Sequence, residues 1–171
     1  MISEQYLLSA SKEWSNDAWW KDQENRTFIK NSGPYAILKG EAEGKIIGAN
    51  LCTFNLLHGT SYMPSLKNSI LFLEDDDTSN PLLFDRDLQS LIHQPGFEGV
   101  KGIVIGRFEK KSEMSRDLLQ KIIKSKKELE KIPVIADADF GHTYPMFSFP
   151  IGGEVKIEAL KNYAKIYIKM H

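Results

Sequence analysis

The sequence predicts an α/β domain: a mixed sheet with flanking helices and hairpins. Three observations predict it. Short, nearly all-apolar runs recur along the chain, as strands of a buried sheet do. Segments with one apolar face at helical spacing lie between them. The last twenty or so residues alternate polar and apolar, as a hairpin does. Strands alternating with helices, with hairpins at the flanks, give the mixed sheet.

The elements follow in order. Residues 1–33 read as an arm or linker. "SASKEWSNDAWWKDQENRTF" carries Trp14, Trp19 and Trp20 among polar residues and keeps no strand or helix period. From Tyr35, "YAILKGEAEGKIIGANLCTF" reads as two strands joined near Gly44. "SILFLED" (69–75) is a buried strand ending in acids. "LFDRDLQSLIHQPG" is a helix with Phe84, Leu88, Leu91 and Ile92 on one face, ended by Pro95 and Gly96. "KGIVIGRF" (101–108) is a second buried strand. "SRDLLQKIIKSKKELEKI" is an amphipathic helix with a stripe of Leu118, Leu119, Ile122, Ile123 and Leu129; Ser115 is its cap. "PVIADAD" (133–139) is a third buried strand, and "GEVKIEAL" with "AKIYIKM" an antiparallel pair. There is no internal repeat.

Composition bounds the function. The 171 residues suit one domain, or one domain with an arm. At 42% hydrophobic and 26% charged the chain has material for a core. A net charge of -1 argues against a nucleic-acid surface or an anionic membrane as partner. The single cysteine, Cys52, forms no internal disulfide, which fits a reducing, cytoplasmic setting. Its apolar neighbours in "GANLCTFNLL" speak against a nucleophilic role. No run approaches the ~20 apolar residues of a membrane span. The histidines (58, 93, 142 and 171) and Cys52 show no zinc spacing, and no Gly-rich phosphate loop occurs, so no metal or cofactor is expected.

Two loops carry chemistry. Polar residues just past the carboxyl ends of buried strands commonly line the site of an α/β fold. "ILFLEDDDTSN" puts Glu74 at such an end, and "VIADADFGHTYP" puts His142 just past another. A carboxylate beside an imidazole is the orienter and base of a triad. A lone loop histidine is ordinarily structural or solvated, and a run such as Asp75–Asp77 is ordinarily a solvated loop or a helix cap. His93, at a helix end, serves the helix dipole. No G-x-S-x-G elbow occurs, so the nucleophile is missing from the pattern.

The motifs "GEAEGKIIGANLCTFNLLHGTSYMP", "SILFLEDDD", "FDRDLQSLI" and "FGHTYPMFSFPIGG", in this order, resemble the C-terminal half of the LD-carboxypeptidase family. Within it they are most similar to the microcin C self-immunity branch. The likeness runs from about Trp14 to near the C-terminus. It implies a swivelling β/β/α-like C-terminal domain over 34–171, an arm over 1–33, and a serine-bearing N-terminal domain outside this chain. It implies that Glu74 and His142 complete a Ser-Glu-His triad, and that the chain alone is inactive. The family's "GGN" turn appears as "GAN", with Ala49 at the second glycine; Asn50 is implied to contact substrate, as are the tryptophans of the arm (Trp14, Trp19 or Trp20). The implied substrates are microcin C-like peptidyl or aminoacyl nucleotides or, alternatively, cell-wall muropeptides. A non-catalytic binding module of the same fold is the remaining reading. The arm is expected to be poorly ordered, or ordered only against this domain's surface or a second copy in a homodimer, with further contacts to the N-terminal domain.

Overall fold

A computed structural model describes residues 5–18, 20–161 and 163–170. The central sheet is parallel: β5 (Gly40–Asn50), β6 (Ser69–Glu74), β7 (Gly102–Gly106) and β8 (Val134–Ala138) lie side by side in that order. Every residue of β6 and β7 is buried. Parallel strands are covered on both faces, which is why these segments read as unbroken apolar runs.

The flanks are antiparallel. β9 (Glu154–Leu160) pairs with β5, β10 (Tyr163–Met170) with β9, and β1 (Tyr6–Leu7) with β10. β4 (Tyr35–Leu38) pairs with β8 at the other end of the order. The sheet curls, because β4 also lies against β9 and β10. β5 bridges the two layers: residues 40–45 pair with β9 and residues 45–50 with β6. The expected break at Gly44 therefore falls elsewhere. β5 runs straight through Gly44, and the chain breaks at Lys39. Gly44 is needed for space rather than as a turn, since a Cβ there would sit 2.6 Å from the Asn68 carbonyl oxygen.

Two cores result, one on each face of the parallel strands. Leu71, Leu73, Ile103, Ile105 and Val134 pack under α2 (Pro81–Ile92) and α3 (Arg116–Ser125), which bury Phe84, Leu88, Leu91, Leu119 and Ile123. Ile70, Phe72, Val104 and Ile135 pack against Val155, Ile157, Ile166 and Ile168 of the hairpin. The layering is β/β/α. Asn80 caps α2 with its side-chain oxygen, and Ser115 caps α3 as expected. Leu118 corrects the predicted stripe: it is 40% exposed, while Leu119 and Ile123 are buried. α3 stops at Ser125, and Leu129 reaches the core from a short 3-10 turn. His93 ends α2 and its ring hydrogen-bonds with Gln89.

The arm has structure of its own. β2 (Glu13–Trp14) and β3 (Ile29–Lys30) form a small hairpin-like pair. Ser15 forms a two-way backbone bridge with Tyr144. No described helix is long and apolar enough to cross a membrane.

Candidate active site

Parallel alignment of β5, β6, β7 and β8 brings their carboxyl ends to one edge. Asn50 and Glu74 are register partners there. The turns after β7 and β8 deliver Glu109 and His142 to the same edge. His142 Nδ1 lies 2.6 Å from Glu74 Oε2, although 68 positions separate them in sequence. Glu74 is nearly buried at 10% side-chain exposure, and the imidazole is half-exposed at 47%. The sequence-predicted pair is thus brought together.

Two glycines make room for it. Gly141 has φ +100°, a conformation that costs L side chains energy, and a Cβ there would stand 2.7 Å from Glu74 Oε2. At Gly106 a Cβ would come within 2.6 Å of the Phe140 carbonyl oxygen and 2.9 Å of Glu74 Cβ. The loop itself is held from below. Phe140, Phe147 and Phe149 pack on one another, and Phe140 and Phe149 pack on Phe72 of β6. The Phe147 N–H donates to the Asp139 carbonyl at 2.9 Å and closes the loop. The Tyr144–Pro145 peptide is cis.

Burial pulls the His142 pKa down, but the Glu74 hydrogen bond and the charges of Glu74, Glu109 and Asp76 outweigh it, and the imidazole ends above its ordinary 6.5. Burial pushes Glu74 up, against the lowering effect of His142. With Nδ1 facing the carboxylate, Nε2 is the nitrogen able to exchange a proton with a third group.

Asn50 is doubly engaged. Its oxygen accepts from the Thr53 N–H, capping α1 (Leu51–Asn55), and its amide nitrogen donates to Asp75 Oδ1 at 3.2 Å. Ala49 is not among the left-handed residues, so its position asks for no glycine. The acidic run divides its labour. Asp75 is buried and raised by that burial; Asp76 holds the Thr78 turn; Asp77 pairs with Lys111 at 2.8 Å. Asn80, not this run, caps the following helix. Cys52 is exposed. Desolvation pushes its thiol up, and the charges of Asp87, Asp75 and Asp76 add to that, so the thiolate is still disfavoured.

The tryptophans separate. Trp14 stacks on Arg107, with the guanidinium carbon 4.9 Å from the ring centre. It lines a cleft of about 320 Å³ shared with Tyr35, Arg107, Glu109, Met114 and Arg116; Glu109, whose charge acts on His142, connects this cleft to the pair, which does not itself line it. Trp20 is 66% exposed. Trp19 lies outside the described residues. Among the described residues, no group of three or more His, Cys, Asp or Glu is placed to hold a metal ion.

Sequence reasoning missed Glu109, Arg107 and Asp139. The first two lie just past a buried strand, where the rule that found Glu74 also applies. Asp139 ends the run "PVIADAD", and only its burial and partners mark it out.

Comparison with known proteins identifies the family and the fold. The family described as the LD-carboxypeptidase C-terminal domain matches residues 43–157. The putative carboxypeptidase YocD of Bacillus subtilis is 52% identical over 166 residues, covering 97% of this chain and 51% of YocD. The microcin C7 self-immunity protein MccF of Escherichia coli is 27% identical over 164 residues, covering 90% of this chain and 46% of MccF. The crystal structure of an MccF-like protein from Bacillus anthracis superposes with a TM-score of 0.95 at 50% identity, covering 98% of this chain and 52% of that one. MccF in complex with aspartyl sulfamoyl adenosine gives 0.79 at 25% identity, covering 100% and 52%. The chain spans about half the length of the curated relatives it matches. It belongs to the LD-carboxypeptidase family, through that family's C-terminal domain.

Proposed function

We propose that this chain is the Glu-His half of a serine carboxypeptidase that hydrolyses amide bonds in peptidyl or aminoacyl nucleotides of the microcin C kind. The observation that carries it is the 2.6 Å contact between a nearly buried glutamate and a half-exposed histidine at a strand-end edge. In this reading residues 1–33 link, and residues 34–171 form the C-terminal domain. The serine and the oxyanion-binding N–H groups come from an N-terminal domain outside these residues. Glu74 accepts the Nδ1–H of His142, which fixes the tautomer. His142 Nε2 takes the serine proton as the hydroxyl attacks the amide carbonyl, then gives it to the leaving amine. Glu74 stabilises the imidazolium formed in between. No cofactor enters these steps.

Trp14 is the proposed platform for the nucleotide base, since it opens on a cleft that it shares with Glu109, a carboxylate whose charge acts on His142. Base stacking on an aromatic side chain contributes ~1–3 kcal/mol, or about ten- to hundred-fold in affinity. In the two-domain enzyme, Trp14→Ala is expected to lower kcat/KM for an aspartyl-adenylate analogue by that factor and to spare muropeptides. An unchanged ratio would favour the muropeptide reading. The chain alone is expected to turn over neither substrate; turnover abolished by changing one of its own serines would refute the assignment.

A further inference from the structure

We propose that Asp139 is a positioning residue for His142: it gathers the arm and Arg107 at the root of the histidine loop, so that the arm holds the imidazole against Glu74. The catalytic meaning of this placement rests on the function proposed above; the placement itself does not.

Asp139 is buried, three residues before His142, and its carboxylate is saturated from three directions. Oδ2 accepts from the Ser11 N–H at 2.8 Å and the Ser11 hydroxyl at 2.9 Å. Oδ1 accepts from Arg107 Nη2 at 2.9 Å and from Asn31 Nδ2 at 3.0 Å. Asn31 closes the ring, its Oδ1 accepting from the same Arg107 nitrogen at 2.8 Å. Beyond His142 the arm takes hold again. The Ser15 N–H donates to the Tyr144 carbonyl at 2.8 Å, and the Tyr144 N–H to the Ser15 carbonyl at 3.0 Å. The arm thus grips the loop at 139 and at 144, on both sides of the histidine.

A domain-stabilising ion pair would need only Arg107 and Asp139. The straddling backbone bridge is what ties the arm to the imidazole. Stakes at this point are high in two ways. Removing one partner of a buried charge pair is strongly destabilising, and Arg107 would keep only the more distant carboxylate of Asp137, at 3.9 Å. A displacement of about 1 Å in a catalytic group lowers a rate by on the order of 100-fold.

The test reads the His142 ring in this chain by NMR. The carboxylates facing the ring are Glu74, Glu109 and Asp76. In the parent chain, the Nδ1 proton shared with Glu74 at 2.6 Å is expected to give a low-field resonance. Asp139→Asn is expected to abolish that resonance and to bring the ring's titration midpoint down, as Glu74→Gln does. Ser15→Pro, which deletes one bridge donor and touches no buried charge, is expected to weaken the same signal. A lowered melting temperature with the His142 resonance and midpoint unchanged in both variants overturns the proposal. If Asp139→Asn does not fold, Ser15→Pro and Asn31→Ala decide, and an unchanged resonance in both overturns it equally. In the two-domain enzyme, an active His142→Ala would sink the catalytic reading yet leave this result standing, so the two failures are distinguishable.

Discussion

His142 is held above its ordinary pKa of 6.5 by Glu74, Glu109 and Asp76. Glu74 is also raised, by burial. Both shifts have one sign, so between them these two groups bind more protons in the folded chain than in the unfolded one. The histidine's contribution to stability is complete below its unfolded pKa and is lost as pH rises through its raised folded value. The Glu74 contribution likewise fades as pH rises past 4.5 toward its raised value. The pair's contribution is therefore expected to decline as pH rises past 4.5 and then past 6.5, so that the denaturant midpoint, relative to that of a Glu74→Gln, His142→Ala double variant, falls over this range. Equal slopes in both would contradict the coupling. Gly141 supplies a sharper residue-scale prediction. Gly141→Ala meets Glu74 Oε2 at 2.7 Å and a backbone at φ +100°. It is expected to break the pair and return the His142 midpoint toward 6.5 with the sheet intact, as NMR titration and far-UV dichroism would read.

At the scale of elements, β6 does two things. It ends on Glu74, and it carries Phe72, the floor under the histidine loop. Phe72 is fully buried, with Phe149 4.7 Å and Phe140 5.5 Å away, ring centre to ring centre. Phe72→Ala is expected to cost about 3–5 kcal/mol. It should also speed amide exchange in residues 140–149 more than in α2, which packs on the opposite face. Uniform acceleration would place the loop's support elsewhere. The sequence made this arrangement partly legible. The runs of β6, β7 and β8 are apolar because they are buried twice over, and the strand-end rule then picked out Glu74 and His142. The break at Lys39 stayed hidden, because Gly44 looks like a turn while serving a close approach to Asn68. Leu118 fitted the helical stripe by spacing, but it falls at the stripe's solvent edge, while Leu119 beside it is buried.

At the scale of the molecule, the arm was the least legible part. Its strands β1, β2 and β3 are two residues each, too short to show a period. Hydrogen bonds to Asp139 and Tyr144 hold it, and no hydrophobic pattern records those. Its course across the domain carries Trp14 to the cleft and Ser15 to the histidine loop. One chain segment thus touches both the proposed base platform and the support of the proposed catalytic base. It also reaches its own domain without a second copy.

In the proposed mechanism Glu74 and His142 act as one catalytic unit with a serine from the other domain. The most direct measurement is kcat for an aspartyl-nucleotide amide in the two-domain enzyme carrying His142→Ala, Glu74→Gln, or both. Groups that act as a unit are non-additive: in a studied serine protease, loss of the histidine costs on the order of a million-fold and loss of the carboxylate roughly ten-thousand-fold. The account predicts losses of that order, with the double variant no worse than His142→Ala alone. Single losses under about ten-fold, or a double loss equal to the product of the singles, would contradict it.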